Sequence, residues 1–129
     1  MPTRELPSEE WISALDNFSR RHLRWIVDLE IAIPDLAIQK ASTRLPLIGI
    51  SADLKSRRKR IEIAMGLEND VSMMTHIIEN PQRVWVSFPI ERAHESVEIE
   101  SEDGTRTLLS FRHIPLEQTE HQLPRETGT

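Results

Sequence analysis

The chain has 129 residues and a formal net charge of −5, with 38% hydrophobic and 29% charged residues. That length fits one domain with one core, and the absence of cysteine excludes disulfides, thiolate metal sites and a cysteine nucleophile. No apolar run approaches the roughly 18 residues of a membrane helix, and the polar first ten residues lack a secretory core, so a cytoplasmic protein is expected.

The first expected element is a helix over residues 9–22. Ser8 is a suitable N-cap, Glu9 and Glu10 suit the positive end of the helix dipole, and Arg20, Arg21 and His22 suit the negative end. Trp11, Ile12, Leu15 and Phe18 recur at helical spacing and predict the buried face. The period then changes to two: Trp25, Val27, Leu29, Ile31 and Ile33 alternate as in a half-buried strand that stops at Pro34. Residues 34–43 form a connection of open character, in which Leu36 and Ile38 either cap the core or extend the strand. A second strand is expected over 47–54, where Gly49 suggests a bulge or a close backbone approach.

Residues 55–59 read as a basic loop, 60–65 as a strand with Ile61, Ile63 and Met65 inward, and 66–70 as a turn. Residues 71–78 fit either a helix capped by Asp70 or a strand; their length and β-branched content favour the strand. After a turn around Pro81, Val84, Val86, Phe88 and Ile90 share one strand face, with Trp85 on the other. The last hairpin joins residues 97–101 to 105–112 through Glu102, Asp103 and Gly104. A three-residue loop with Gly104 left-handed opposes Val97 to Leu109 and Glu100 to Arg106, which a two-residue loop does not.

These elements predict an α+β fold. An N-terminal helix precedes an antiparallel sheet of about six or seven strands, curled into a small barrel or roll that hides its apolar face. Residues 1–114 form the expected single domain, and the polar, proline-containing residues 115–129 a mobile tail.

Positive signals for chemistry are few. Arg57, Arg58, Lys59 and Arg60 are the candidate anion-binding residues, since clustered cations suit phosphates or nucleic acid. The same run suits a solvated loop, and it lacks the interleaved aromatics of a single-strand binding platform. The acidic Glu91, Glu95, Glu98, Glu100, Glu102 and Asp103 read as the polar face of the last hairpin. The five histidines show no metal-ligand spacing, and no nucleophile elbow, dinucleotide fingerprint or P-loop occurs, so no catalytic residue, metal or cofactor is expected. Trp11 and Trp25 read as core. Trp85 and Phe88 make their strand apolar on both faces and are the candidate interface. The leading expectation is a non-enzymatic binding or protein-interaction module, working as a homo-oligomer or with a protein partner. The alternatives are anionic-ligand or nucleic-acid binding through the basic loop, and a small-molecule sensor or enzyme with a pocket near His76 or His113.

Several segments together resemble a bacterial domain-of-unknown-function family of small uncharacterised single-domain proteins. They are Glu10-Trp11 and Phe18-Ser19-Arg20, the LPLIGISAD stretch at 45–53, Ile61-Glu62-Ile63, Thr75-His76 with Pro81 and Arg83-Val84, and the IESEDGTRTL stretch at 99–108. Their order and spacing, over residues 4–112, carry the resemblance. It implies a bacterial, soluble, stand-alone domain and brings no catalytic residues. The run from Arg57 to Arg60 and the Trp85 strand look more basic and more apolar than the resemblance would suggest.

Overall fold

Trp11, Leu15 and Phe18 share one side of the helix α1 (Trp11–Arg21) and are all buried. Arg20 and Arg21 occupy its last turn as expected, and the His22 N–H closes it on the Phe18 and Ser19 carbonyls. The start of the helix differs from the sequence reading. Ser8 lies in a 3-10 turn (Ser8–Glu10) that follows the extended Pro7, and no side chain caps α1. Ile12 differs as well, being half exposed beside the buried stripe.

The structure, a computed structural model, describes residues 3–35, 38–55, 57–67, 73–87 and 95–112, with the backbone alone for 38–43. Eight strands are described: β1 (Thr3–Glu5), β2 (Ile26–Ala32), β3 (Ile38–Asp53), β4 (Arg60–Met65), β5 (Met74–Glu79), β6 (Pro81–Ser87), β7 (Glu95–Ser101) and β8 (Arg106–Arg112). They form one antiparallel sheet in the order β1-β6-β7-β8-β2-β3-β4-β5. The fold is α+β, with eight strands instead of six or seven. The additional pairing comes from β1, whose three exposed residues carry no periodic signal.

β3 is the longest strand and absorbs most of the connection expected over 34–43. Its first part pairs with β2 and its second with β4. Two irregularities bend it. Arg44 sits at a φ of 44° beside the shifted β2–β3 register, and Ile48 is an extra residue between the Leu47–Met65 and Gly49–Ala64 pairs. The bulge expected at Gly49 is therefore present. At β7–β8 the register is the expected one, Val97 opposite Leu109 and Glu100 opposite Arg106. Gly104 has a φ of 91°, and a Cβ there would lie 2.9 Å from the Pro34 ring. Both facts require glycine. The ambiguous stretch ends in β5, so its described part is strand.

The inner face of the sheet is apolar along every long strand: Val27 and Leu29, Leu47 and Ile50, Ile61, Ile63 and Met65, Val84 and Val86, Val97 and Ile99, Leu109 and Phe111. These side chains and those of α1 form one cluster that spans the strand order from Val84 to Ile78, so the sheet is rolled around its core. It does not close into a barrel. Among the described residues β5 pairs only with β4. A single residue, Asn80 at a φ of 53°, joins β5 to β6. Its N–H donates to the Lys59 carbonyl and its carbonyl accepts from Glu102, so the chain turns a corner instead of folding back. Phe88, His94, His113, His121 and the expected tail lie outside the described residues.

Candidate functional site

Beyond its bulge, β3 has left β2 and would have an open edge. α1 covers that edge. The Ser19 hydroxyl accepts from the Ile50 N–H at 2.7 Å and lies 3.0 Å from the Ile50 carbonyl and 2.8 Å from its own Leu15 carbonyl. One buried hydroxyl thus replaces a neighbouring strand, and this places the helix beside the outer face of β3, β4 and β5.

The crease between them is the candidate site. One stretch, of about 370 Å³, is lined by Asp16, Ser19, Arg20 and Leu23 on the helix side and by Gly49, Ser51, Glu62, Ala64 and Thr75 on the sheet. It meets a second stretch, of about 460 Å³, at Leu23 and Ile48; there Pro46, Gly66 and Leu67 form the walls. The strand register explains the floor: Gly49, Ala64 and Thr75 stand in one row, Ser51, Glu62 and Ile77 in the next, all on the outer face. The floor residues are small, and a Cβ added at Gly49 would meet nothing within 4 Å. Two lining side chains are exposed and apolar: Leu23 is 54% exposed and Leu67 57%. Asp16 and Arg20 are one helical turn apart on α1, and Leu23 lies in the turn that follows the helix. Charge in the crease is balanced: Arg20 pairs with Asp16 and bonds Asn17 at 3.2 Å, and Arg60 bridges Glu62 at 3.1 Å. A small-floored crease with exposed leucines in its lining can accept side chains of a polypeptide.

The residues singled out from the sequence fall elsewhere. Arg57, Arg58 and Lys59 are exposed between β3 and β4, while Arg60 opens β4 opposite Asp53 and Glu79 with its guanidinium on Glu62. Three carboxylates around Arg60 separate it from the other cations. Trp85 is on the outer face of β6, in a row with Glu5, Glu98 and Leu108. The Arg106 guanidinium lies 5.8 Å from its ring centroid and also reaches Glu98 and Glu100. Part of the Trp85 surface is thus covered from within the chain. His76 faces inward on β5 opposite Ile63 and lines neither stretch of the crease; burial holds its imidazole below the ordinary histidine range. Among the described residues no three His, Asp or Glu side chains gather as a metal site, and no helix is long and apolar enough to cross a membrane.

One polar pair with a buried histidine escaped the sequence reading. His22 is 1% exposed and stacks on Phe18 at 3.9 Å, with Trp25 and Phe111 edge-on or tilted around it. Its Nδ1 lies 2.8 Å from the Phe18 carbonyl, which can only accept, so Nδ1 carries a proton. Nε2 lies 2.8 Å from Glu95 Oε1 at the start of β7. Glu95 therefore leaves the polar face expected for the acidic stretch and ties the helix end to the sheet. The imidazole is enclosed by three aromatic rings, and the pair ties the helix end to the start of β7. Its components are 73 residues apart, and no local pattern links them.

Comparison with known proteins places this geometry in a family. Residues 2–121 match the group described as "Family of unknown function (DUF5335)". An uncharacterised protein of Aquifex aeolicus (strain VF5) is 28% identical over 117 residues, covering 90% of this chain and 98% of that protein. No solved structure matches. The chain belongs to the DUF5335 family.

Proposed function

We propose that this DUF5335 protein is a non-enzymatic interaction module that receives a polypeptide partner in the crease between α1 and the outer face of β3, β4 and β5. The observation that carries the reading is the exposed Leu23 and Leu67 in the lining of one small-floored groove, while the inner face of the same strands is already buried in the core. Apolar side chains left together on an outer face mark interaction surfaces. The groove also lies on regular elements, α1 and a hydrogen-bonded sheet, which give a docking site a fixed shape.

The test is a groove-filling variant. Gly49→Val adds a β-branched side chain into open space at a strand position, so the fold is expected to stand. Native-lysate cross-linking of the full chain should show a bound polypeptide other than a second copy in the wild type that Gly49→Val and Leu23→Asp both lose. Capture of that polypeptide equally strong in both variants would overturn the groove as the site.

A second reading keeps the exposed Arg57, Arg58 and Lys59 as an anion contact, supported by their common position in the β3–β4 connection. It expects polyanion binding that weakens with salt, and loses slope, when the three are changed to alanine.

A further inference from the structure

We infer a second interaction, separate from the crease: this chain pairs with a second copy of itself through antiparallel pairing of β5 with β5 of the other copy. The inference goes beyond the proposed function and uses a different surface, the sheet edge. An edge strand presents a row of unpaired N–H and C=O groups whose natural complement is another extended strand. β5 has six residues and pairs, among the described residues, with β4 alone. It holds no Lys, Arg or Pro, and Met73, Met74 and Ile77 at or beside it are exposed. The opposite edge, β1, has three residues, two of them charged, with Arg4 bridged to Glu10. Pairing of β5 with β1 of another copy would be head-to-tail and open-ended. The short, charged β1 disfavours it, which leaves the isologous pair that closes on itself.

The strand also has one favourable self-register. Outer-face residues must oppose outer-face residues, which restricts the two-fold to a residue position rather than a point between residues. With the axis at Ile77, the two Ile77 side chains meet, Thr75 opposes Glu79 and His76 opposes Ile78. Centring on His76 would face two imidazoles, both half-buried already, and centring on Ile78 would set Ile77 against Glu79. The Ile77-centred pair also extends the sheet so that both creases lie on the same side of it.

The absence of cysteine makes the test direct. Full-length wild type should sediment as a concentration-dependent dimer. Ile77→Lys, which places a gatekeeping charge on the axis, should raise the dissociation constant about tenfold or more while leaving the circular dichroism spectrum unchanged. Ile77→Cys should cross-link to itself on mild oxidation, since opposed strand residues bring their Cα atoms to about 4.5–5.5 Å, within disulfide reach. Glu5→Cys on the other edge should not. A wild type that stays monomeric at high micromolar concentration, or a dimer that survives Ile77→Lys and does not cross-link at position 77, overturns the inference. If such a protein still loses a different bound polypeptide on Leu23→Asp, the groove reading stands and the second copy alone is wrong. If Leu23→Asp changes nothing either, both fall.

Discussion

At one edge of the sheet, β1 is followed at once by an anchor. The Leu6 N–H donates to the Val84 carbonyl at 2.8 Å, Leu6 is buried, and the Trp11 indole N–H returns to the Leu6 carbonyl at 3.0 Å. At the other edge, β5 shows Met74, Thr75, Ile77 and Glu79 to solvent and sinks only Ile78 fully into the core. One edge is short, charged and fastened from behind by the helix. The other is long, apolar and backed by a single strand. The two ends of one sheet thus solve the open-edge problem in opposite ways, and only the first solution is complete within the described part of the chain.

The largest expected effect tests the fastened end. Trp11→Ala removes a buried indole and leaves the Leu6 carbonyl without its donor, and should cost about 3–5 kcal/mol in urea unfolding. A cost below about 1 kcal/mol would mean that the two edges are equally loose. Ser19→Ala should come next, at about 1–3 kcal/mol, because the Ile50 N–H loses its buried acceptor; the loss should appear as faster amide exchange along β3. Ile77→Lys, at the open end, should change monomer stability by no more than about 0.5 kcal/mol, because the side chain is nearly half exposed. A larger loss would show that β5 is fastened after all.

The smallest effect concerns pH. Burial lowers the His76 pKa, so folding favours its neutral form. Between the ordinary histidine value of about 6.5 and the lower folded value, the unfolded chain binds more protons. Stability therefore rises with pH across that window and is lost as pH falls through it. The ring is half exposed, so solvent screening keeps the change small. Wild type should lose slightly more thermal stability on acidification than His76→Gln, with the excess exchange confined to β4 and β5. Identical pH profiles for the two proteins would remove His76 from the account.

Where the apolar period was uninterrupted, the fold was legible. The alternation in β2, β4 and the last hairpin gave strands with the expected inward residues, and Gly104 gave the loop and its register. β1 was not legible because three exposed polar residues leave no pattern; its pairing is decided by Leu6 and Trp11 further on. β3 was only half legible, since residues 34–43 show no clear alternation, and the bends at Arg44 and Ile48 need both β2 and β4 as neighbours. Ile12 obeys the helical spacing of the core, and only the position of β3 under the adjacent Ser19 turns it outward. The groove was the least legible part. Leu23 and Leu67 are far apart in sequence and share one lining only in the folded chain. The basic run and Trp85 drew notice because they are conspicuous in sequence, yet Arg60 and Trp85 both find partners within the chain.

The place of β8 has a consequence for the order of assembly. β8 lies between β7 and β2, with Arg112 opposite Ile26 and Leu109 opposite Leu29. During synthesis the chain can form the β3–β4–β5 meander early from neighbouring segments. Val27 and Leu29, however, wait for the last described strand before the sheet is continuous. The strand that joins the two halves is thus the last of them to leave the ribosome. Until then the nascent chain carries an open edge at β2, in addition to the one that β5 presents among the described residues.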